Sequence, residues 1–449
     1  MCDKLIELNP KDEFAWLWKG HAFLELQSYE ESLICFDKTI ELNLNDEDAW
    51  REKGRTLLKL QCYEESLTCF DKAIELNPKD EEAWWWKGYA LNQMQHYEES
   101  INCYNKIIEL NPKDEEAWWW KGYALSQLQH YEESLVCYSK VIELNPKNEY
   151  AWYRKGYALS ELQHYEESLI CYNKTIEINP KNEDAWCWKG YALLGLQHYE
   201  ESLTCFDKTL ELNPKDENTW WWRGRTLLEL QHYEESLTCF DKATELSPKD
   251  EYSWNWKGIV LIELQSYEKA VDAFEQLTSI NPNNLFAKLH LMFLYRDVLG
   301  EMDKAIDLFN SIDEKEVNQN KNKNLACRFY LHKTLFELYK QNKGIATDCL
   351  LQAFSVLEKE NNLSSMSNEH WWVKFGSVVV KLGYGAWLLE VFEEKGYDIA
   401  LSPYYTAIQA LEIEKHDGQK DAEIYLKNRA VEIAEPARLI IDKMRKYLD

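Results

Sequence analysis

The chain has 449 residues, 45% hydrophobic and 14% aromatic, a composition that excludes disorder over most of its length. Its formal net charge of −27 argues against a nucleic-acid scaffold, because phosphate neutralisation needs a surplus of lysine and arginine. The same charge favours solubility and basic or neutral partners, although a well-solvated helical surface accounts for it without any partner.

In chain order, Cys2 to Pro10 reads as the last half of a helix, so residues 1–12 are expected as a partial repeat and N-terminal cap. Two readings of it stand: a cap on the first repeat, or the remnant of a longer array. From Glu13 to Asn284 one phrase recurs eight times at an interval of 34 residues without an insertion. A unit of that size cannot bury its own apolar face and must stack on its neighbours, which makes the array a solenoid.

The copy Glu81 to Asp114 shows how each unit folds. Asp80 is a good N-cap, with Glu81 and Glu82 in the first turn where the helix dipole favours them. A first helix, A, is predicted from about Glu82 to Met94, with Trp84, Gly88 and Leu91 on one buried stripe. Gly88 permits a close helix approach. After the turn Gln95-His96-Tyr97, a second helix, B, starts at Glu98. It buries Ser100, Cys103, Tyr104, Ile107 and Ile108; Asn111 ends it and Pro112 prevents its continuation.

Leu285 to Asp313 reads as a degenerate ninth repeat with one extra residue, carried by Ala287, Leu291, Tyr295 and Ala305. The polar run Glu314 to Asn324 reads as a linker. Beyond it, helical periods cover about Leu325 to Lys340, Ile345 to Lys359, Trp371 to Leu382, Ala386 to Glu394, Tyr404 to Glu414 and Ala422 to Tyr447. Ser402-Pro403 marks a helix start, and Pro436 is expected to break the last segment. Residues 325–449 have two roles open to them: capping the last repeat, or docking an effector or second subunit.

The recurring Trp84, Gly88, Ser100, Tyr104 and Pro112 resemble the tetratricopeptide repeat. The resemblance implies an all-α, right-handed superhelical solenoid, followed here by an all-helical C-terminal region. In that family A helices line the concave side, which places the second, fifth, sixth, ninth, twelfth and thirteenth positions of each repeat on an inner stripe. Two departures from the pattern are lysine or arginine before the glycine, as at Lys87 and Arg223, and Leu44 for the terminal proline of the first repeat; neither is expected to disturb the fold.

Frame positions barely change between repeats, whereas the inner stripe does. The fifth position reads Leu17, Arg51, Trp85, Trp119, Tyr153, Cys187, Trp221 and Asn255. The sixth reads Trp18, Glu52, Trp86, Trp120, Arg154, Trp188, Trp222 and Trp256. The ninth reads His21, Arg55, Tyr89, Tyr123, Tyr157, Tyr191, Arg225 and Ile259. Three consecutive tryptophans cannot all enter one seam, so Trp84 is assigned to packing and Trp85 and Trp86 are surplus. Large aromatics with arginines are the residue types of interface hot spots. A groove of them bordered by glutamates suits a protein or peptide segment with basic and apolar residues. The alternative is that adjacent A helices only stack these rings on each other. The family's clamp for a C-terminal carboxylate is not expected, because lysine and asparagine are absent from its positions.

Seven of the twelve cysteines (Cys35, Cys69, Cys103, Cys137, Cys171, Cys205, Cys239) share one repeat position and read as buried reduced thiols, implying a reducing compartment. No segment has signal-peptide character and no apolar run spans a bilayer, so no membrane association is expected and the cytoplasm is the predicted location. His96, His130, His164, His198 and His232 sit in the A–B turns, where they read as caps of helix A; paired metal-ligand spacing is absent. Lys381 to Trp387 holds only a weak GxG, and no nucleophile stands beside a base. No catalytic residue, metal or cofactor is expected. The function that follows is a non-enzymatic protein-interaction scaffold. The alternative is a sensor or regulatory subunit whose C-terminal helices relay binding to a separate effector.

Overall fold

The computed structural model describes residues 2–320, 322–358, 370–395, 402–429 and 431–448, and among them there are helices and no strand. They form two compact units, residues 1–232 and 233–449. Among the described residues no helix is long and apolar enough to cross a membrane.

In the first unit, helix Cys2–Leu8 packs on the first A helix, Glu13–Glu25. Six full helix pairs follow in strict register, such as Glu81–Gln93 with Tyr97–Leu110 and Glu115–Gln127 with Tyr131–Leu144, and then the A helix Glu217–Glu229. Each start is fixed chemically: the Asp80 carboxylate accepts the Ala83 N–H at 3.0 Å. Each A helix ends in a left-handed residue, and in all eight repeats it is a glutamine, Gln95 (φ 62°) in the third. His96 N–H then donates to Leu91 O at 2.9 Å and Gln95 N–H to Asn92 O at 3.0 Å, the two bonds of a Schellman closure. The turn histidine thus closes helix A through its backbone and makes no side-chain cap.

Within a pair, a Cβ at Gly88 would lie 3.0 Å from Cζ of Tyr104, so the missing side chain sets the A–B distance. Between pairs, the frame tryptophan acts as a clip. Trp84 is half-buried, and its indole N–H donates to Pro78 O at 3.0 Å across the repeat junction. That corrects its assignment as a fully buried packing residue. The bond recurs from Trp16 to Trp254, and Trp50 donates to Leu44 O at 3.0 Å, which explains why the missing proline is harmless. Lys87 lies over the Trp84 ring and pairs with Asp71 of the preceding repeat at 2.5 Å.

The second unit begins with helix Tyr233–Leu246 and the eighth repeat, Glu251–Glu263 with Tyr267–Ile280. In the segment expected as a degenerate ninth repeat, helix Leu285–Phe293 runs into a π-helical turn, Leu294–Val298, before helix Met302–Asn310. A π turn is how a helix absorbs one inserted residue. The expected linker is not open chain, since it carries helix Glu314–Gln319 and its Val317 is 1% exposed within the core. Apolar side chains there have somewhere to go, because Leu261, Phe274 and Tyr295 share one core with Leu335, Phe354, Phe392, Ile408 and Met444.

Helices Lys323–Tyr339 with Lys343–Glu358 and His370–Lys381 with Gly385–Lys395 are further hairpins. Their turns place Gln341 (φ 61°) and Gly383 (φ 82°) where the repeats place glutamine. The remaining helices are Ser402–Asp417, Gln419–Lys427 and Val431–Leu448. Pro436 does not break the last segment; it lies inside Val431–Leu448, and the break falls at Asn428 and Arg429. One lost backbone bond is outweighed there by the buried stripe Ala437, Ile440, Ile441 and Met444.

Candidate functional site

Successive A helices of the first unit contact one another, which puts them on the shorter side of the stack. Their sixth and ninth positions meet from repeat to repeat. Arg55 lies over Trp86 at 4.9 Å; Tyr89 meets Trp120 edge-on at 5.6 Å; Arg154 lies over Tyr123 at 5.8 Å. Further along, Tyr157 meets Trp188 at 4.8 Å and Tyr191 meets Trp222 at 4.9 Å. Within a repeat, Trp86–Tyr89, Trp120–Tyr123 and Trp188–Tyr191 complete the ladder at 6.1, 5.7 and 5.3 Å. Edge-to-face pairs at these distances add roughly 0.5–1.5 kcal/mol each beyond area burial. The rings do stack on each other, yet all of them stay half-buried and none is fully enclosed.

The fifth-position rings sit beside the ladder. Trp85 lies parallel to Tyr89 at 5.6 Å and Trp119 parallel to Tyr123 at 5.8 Å, while Trp221 packs edge-on to Trp222 at 4.5 Å. The indole nitrogens of Trp85 and Trp221 are buried without a hydrogen-bond acceptor. Tyr153 turns instead toward Tyr172 of its own repeat, where burial pushes its phenol above the ordinary range. Trp18 is 66% exposed and meets the His21 ring at 6.3 Å, and Arg225 pairs with Glu229 at 3.0 Å. Trp256 is half-buried on Glu251–Glu263 of the second unit.

One end of the ladder is polar. Arg51 holds the fifth position of the second repeat, and its guanidinium reaches Asp80 at 2.7 Å, Asp48 at 2.6 Å and Glu82 at 3.2 Å. Burial works against that charge, but the carboxylates outweigh it and raise the Arg51 pKa above its ordinary value. Glu52, 1% exposed, takes two bonds from Arg55 at 2.8 and 2.9 Å. The next interval opens a cavity of about 320 Å³ lined by Glu81, Glu82, Trp85, Trp86, Ile107, Asp114 and Glu116. Sequence reasoning singled out its aromatic wall and, as second positions of the inner stripe, Glu82 and Glu116, but left Asp114 unremarked. The signal that finds it is a comparison of the N-cap and second positions between repeats. Among the described residues no group of three or more His, Cys, Asp or Glu side chains is placed to hold a metal ion.

This arrangement, a stack of helix-turn-helix units with a variable side-chain ladder on the A helices, is that of an α-solenoid repeat protein. Profiles described as TPR repeat match residues 54–95, 88–129 and 122–163, and others described as tetratricopeptide repeat match 15–46, 149–182, 183–216 and 223–284. The chain belongs to the tetratricopeptide repeat family. Among solved structures it is similar to YrrB, a TPR protein with an unusual peptide-binding site, at 23% identity over 41% of this chain and 95% of that one, TM-score 0.39. It is also similar to MamA of Desulfovibrio magneticus RS-1, at 21% identity over 37% of this chain and 95% of that one, TM-score 0.37. A tetratricopeptide repeat protein of Parabacteroides merdae ATCC 43184 covers more, 55% of this chain and 98% of its own, at 17% identity and TM-score 0.45. No curated protein matches the sequence.

Proposed function

We propose that the chain is a non-enzymatic scaffold that captures a protein segment along the A-helix ladder of its first unit. The observation that carries this reading is the half-exposure of Trp86, Tyr89, Trp120 and Tyr123, bounded by Arg55 and Arg154. Stacked rings that present one face to solvent lose little entropy on binding, and such anchors dominate interface energies. The preferred segment carries apolar residues for the ladder and basic residues for its acidic end. In this reading the helices beyond Asp313 act as the cap of the last repeats, since they share one core with the eighth and ninth.

A peptide selected from a displayed library against the full chain provides the test. Trp86→Ala combined with Trp120→Ala is expected to weaken its binding about thirtyfold or more, corresponding to about 2 kcal/mol at a central anchor. Circular dichroism should show the variant still folded. A folded variant that binds the peptide undiminished would assign the ladder to packing alone.

A further inference from the structure

Each interval of the first unit presents the same four places: the second and fifth positions of one repeat, the N-cap of the next A helix, and the second position of that helix. Only two intervals carry carboxylates at all three acidic places. In one, between the second and third repeats, Asp48, Asp80 and Glu82 surround the Arg51 guanidinium at 2.6–3.2 Å. In the other, between the third and fourth, the equivalent carboxylates are Glu82, Asp114 and Glu116, and the place of Arg51 is taken by Trp85.

A neutral indole cannot compensate those charges. Asp114 spends one oxygen on the Ala117 N–H, at 2.8 Å, and Glu82 is shared with Arg51. Glu116 makes no hydrogen bond or ion pair among the described residues. One repeat further on, Glu116 alone is left of the three acidic places: Asn148 and Tyr150 stand where Asp114 and Glu116 stood, and Asn145 and Asn148 donate to Glu115 at 3.1 and 2.7 Å. The interval between the third and fourth repeats therefore keeps an internal cation's clamp without the cation. In its place is the cavity of about 320 Å³, walled by Trp85 and Trp86 with their rings at 83°. Perpendicular indoles offer a π face to a planar cation entering between the carboxylates.

We infer that this cleft is the specificity subsite of the groove and receives an arginine side chain of the bound segment, seated as Arg51 is seated one repeat earlier. The inference rests on the scaffold reading and names the residue that fixes the register of the bound segment. Arginine is chosen over lysine because three separated carboxylates match a fork of N–H donors, not a single ammonium.

The test uses the full chain with ¹⁵N-labelled tryptophan indoles and the probe acetyl-Gly-Gly-Arg-Gly-Gly-amide. Saturable shifts of the Trp85 and Trp86 signals are expected, with none from the citrulline peptide and weaker binding by the lysine peptide. Asp114→Asn with Glu116→Gln should raise the probe's dissociation constant tenfold or more; asparagine already caps helices at Asn148 and Asn182, so folding is retained. Trp85→Arg should abolish binding by filling the clamp from within, as the second repeat does. Equal lysine binding, or binding indifferent to these changes, would overturn the assignment. A library-selected peptide separates this outcome from failure of the scaffold reading. If it tolerates Trp85→Arg but is lost with Trp86→Ala and Trp120→Ala, the groove stands and the arginine subsite falls. If the probe binds while no peptide is selected, the cleft takes arginine but the groove falls, and with it the cleft's role as a subsite of that groove.

Discussion

At Gly190 a methyl group would sit 2.6 Å from Cε1 of Phe206 and 2.9 Å from Cδ1, inside van der Waals contact with a fully buried ring. Gly190→Ala is therefore expected to destabilise the chain by about 1–3 kcal/mol through overpacking, read as a lower urea midpoint. Gly344→Ala should not, because nothing lies within 4 Å of its Cβ. The repeated cysteine packs beside the glycine as well, its Cβ 3.2 Å from the Cβ position at Gly88 (Cys103) and 3.1 Å at Gly122 (Cys137). Burial pushes the Cys103 thiol to about 12 and those of Cys137, Cys171 and Cys205 to about 11, with the neighbouring lysines only partly opposing it. All four should resist aromatic-disulfide labelling at pH 8 in the native chain and react at once in denaturant. Their folded values exceed the ordinary 9.0, so the fold retains protons that the unfolded chain releases. Their contribution is whole below pH 9 and is lost as pH rises through about 11 to 12, which should appear as a falling denaturation midpoint over that window.

The A–B turn is the element that unites both units. A glutamine in left-handed geometry costs roughly 1 kcal/mol that a glycine would not, and this chain accepts it in all eight repeats and again at Gln341. Gln129→Gly is expected to raise stability by about 0.5–1 kcal/mol, the steric gain being partly offset by glycine's freedom in the unfolded chain. No change, or a loss, in the melting midpoint would show that the glutamine side chain supports the turn. This element also marks where the sequence was legible. In the eight repeats the helices were readable because tryptophan, glycine, cysteine and proline recur in register, and internal comparison replaces an alignment. The hairpin at Gln341 keeps the same turn without the tryptophan and the closing Asn-Pro, so its kinship shows only in backbone geometry; the one at Gly383 keeps Trp372 and Gly376 ahead of its turn at the spacing of Trp84 and Gly88 before Gln95, a signal in the sequence that was left unread. The Glu314–Gln319 helix was hidden for a different reason: one buried Val317 among polar residues carries no period. Pro436 misled because a local rule was applied where tertiary burial decides.

At the scale of the whole molecule, the ladder and the acidic cleft belong to repeat order, not to any one repeat. The aromatic residues were visible in the sequence one position at a time. Which ring meets which depends on the step between A helices, and the clamp is split across a junction, so neither could be read along the chain. Repeat order can be edited. Removing residues 115–148 deletes one whole unit from within the first compact unit and joins the third repeat to the fifth. Ile107, which packs on Ala117, would then meet Ala151 in the same register. Tyr89, released from Trp120, would meet Arg154, a pairing that Tyr123 and Arg154 already make at 5.8 Å. Nearest-neighbour stacking therefore predicts a folded, soluble and somewhat less stable chain, with helical circular dichroism reduced only by the deleted share. Wholesale loss of helix would show instead that the first unit folds as one globule. The same deletion replaces Glu116 by Tyr150 at the acidic cleft. The arginine probe should consequently lose its site in a chain that is otherwise intact, even though Trp85 and Trp86 remain. Retention of probe binding in that folded deletion would place the site elsewhere.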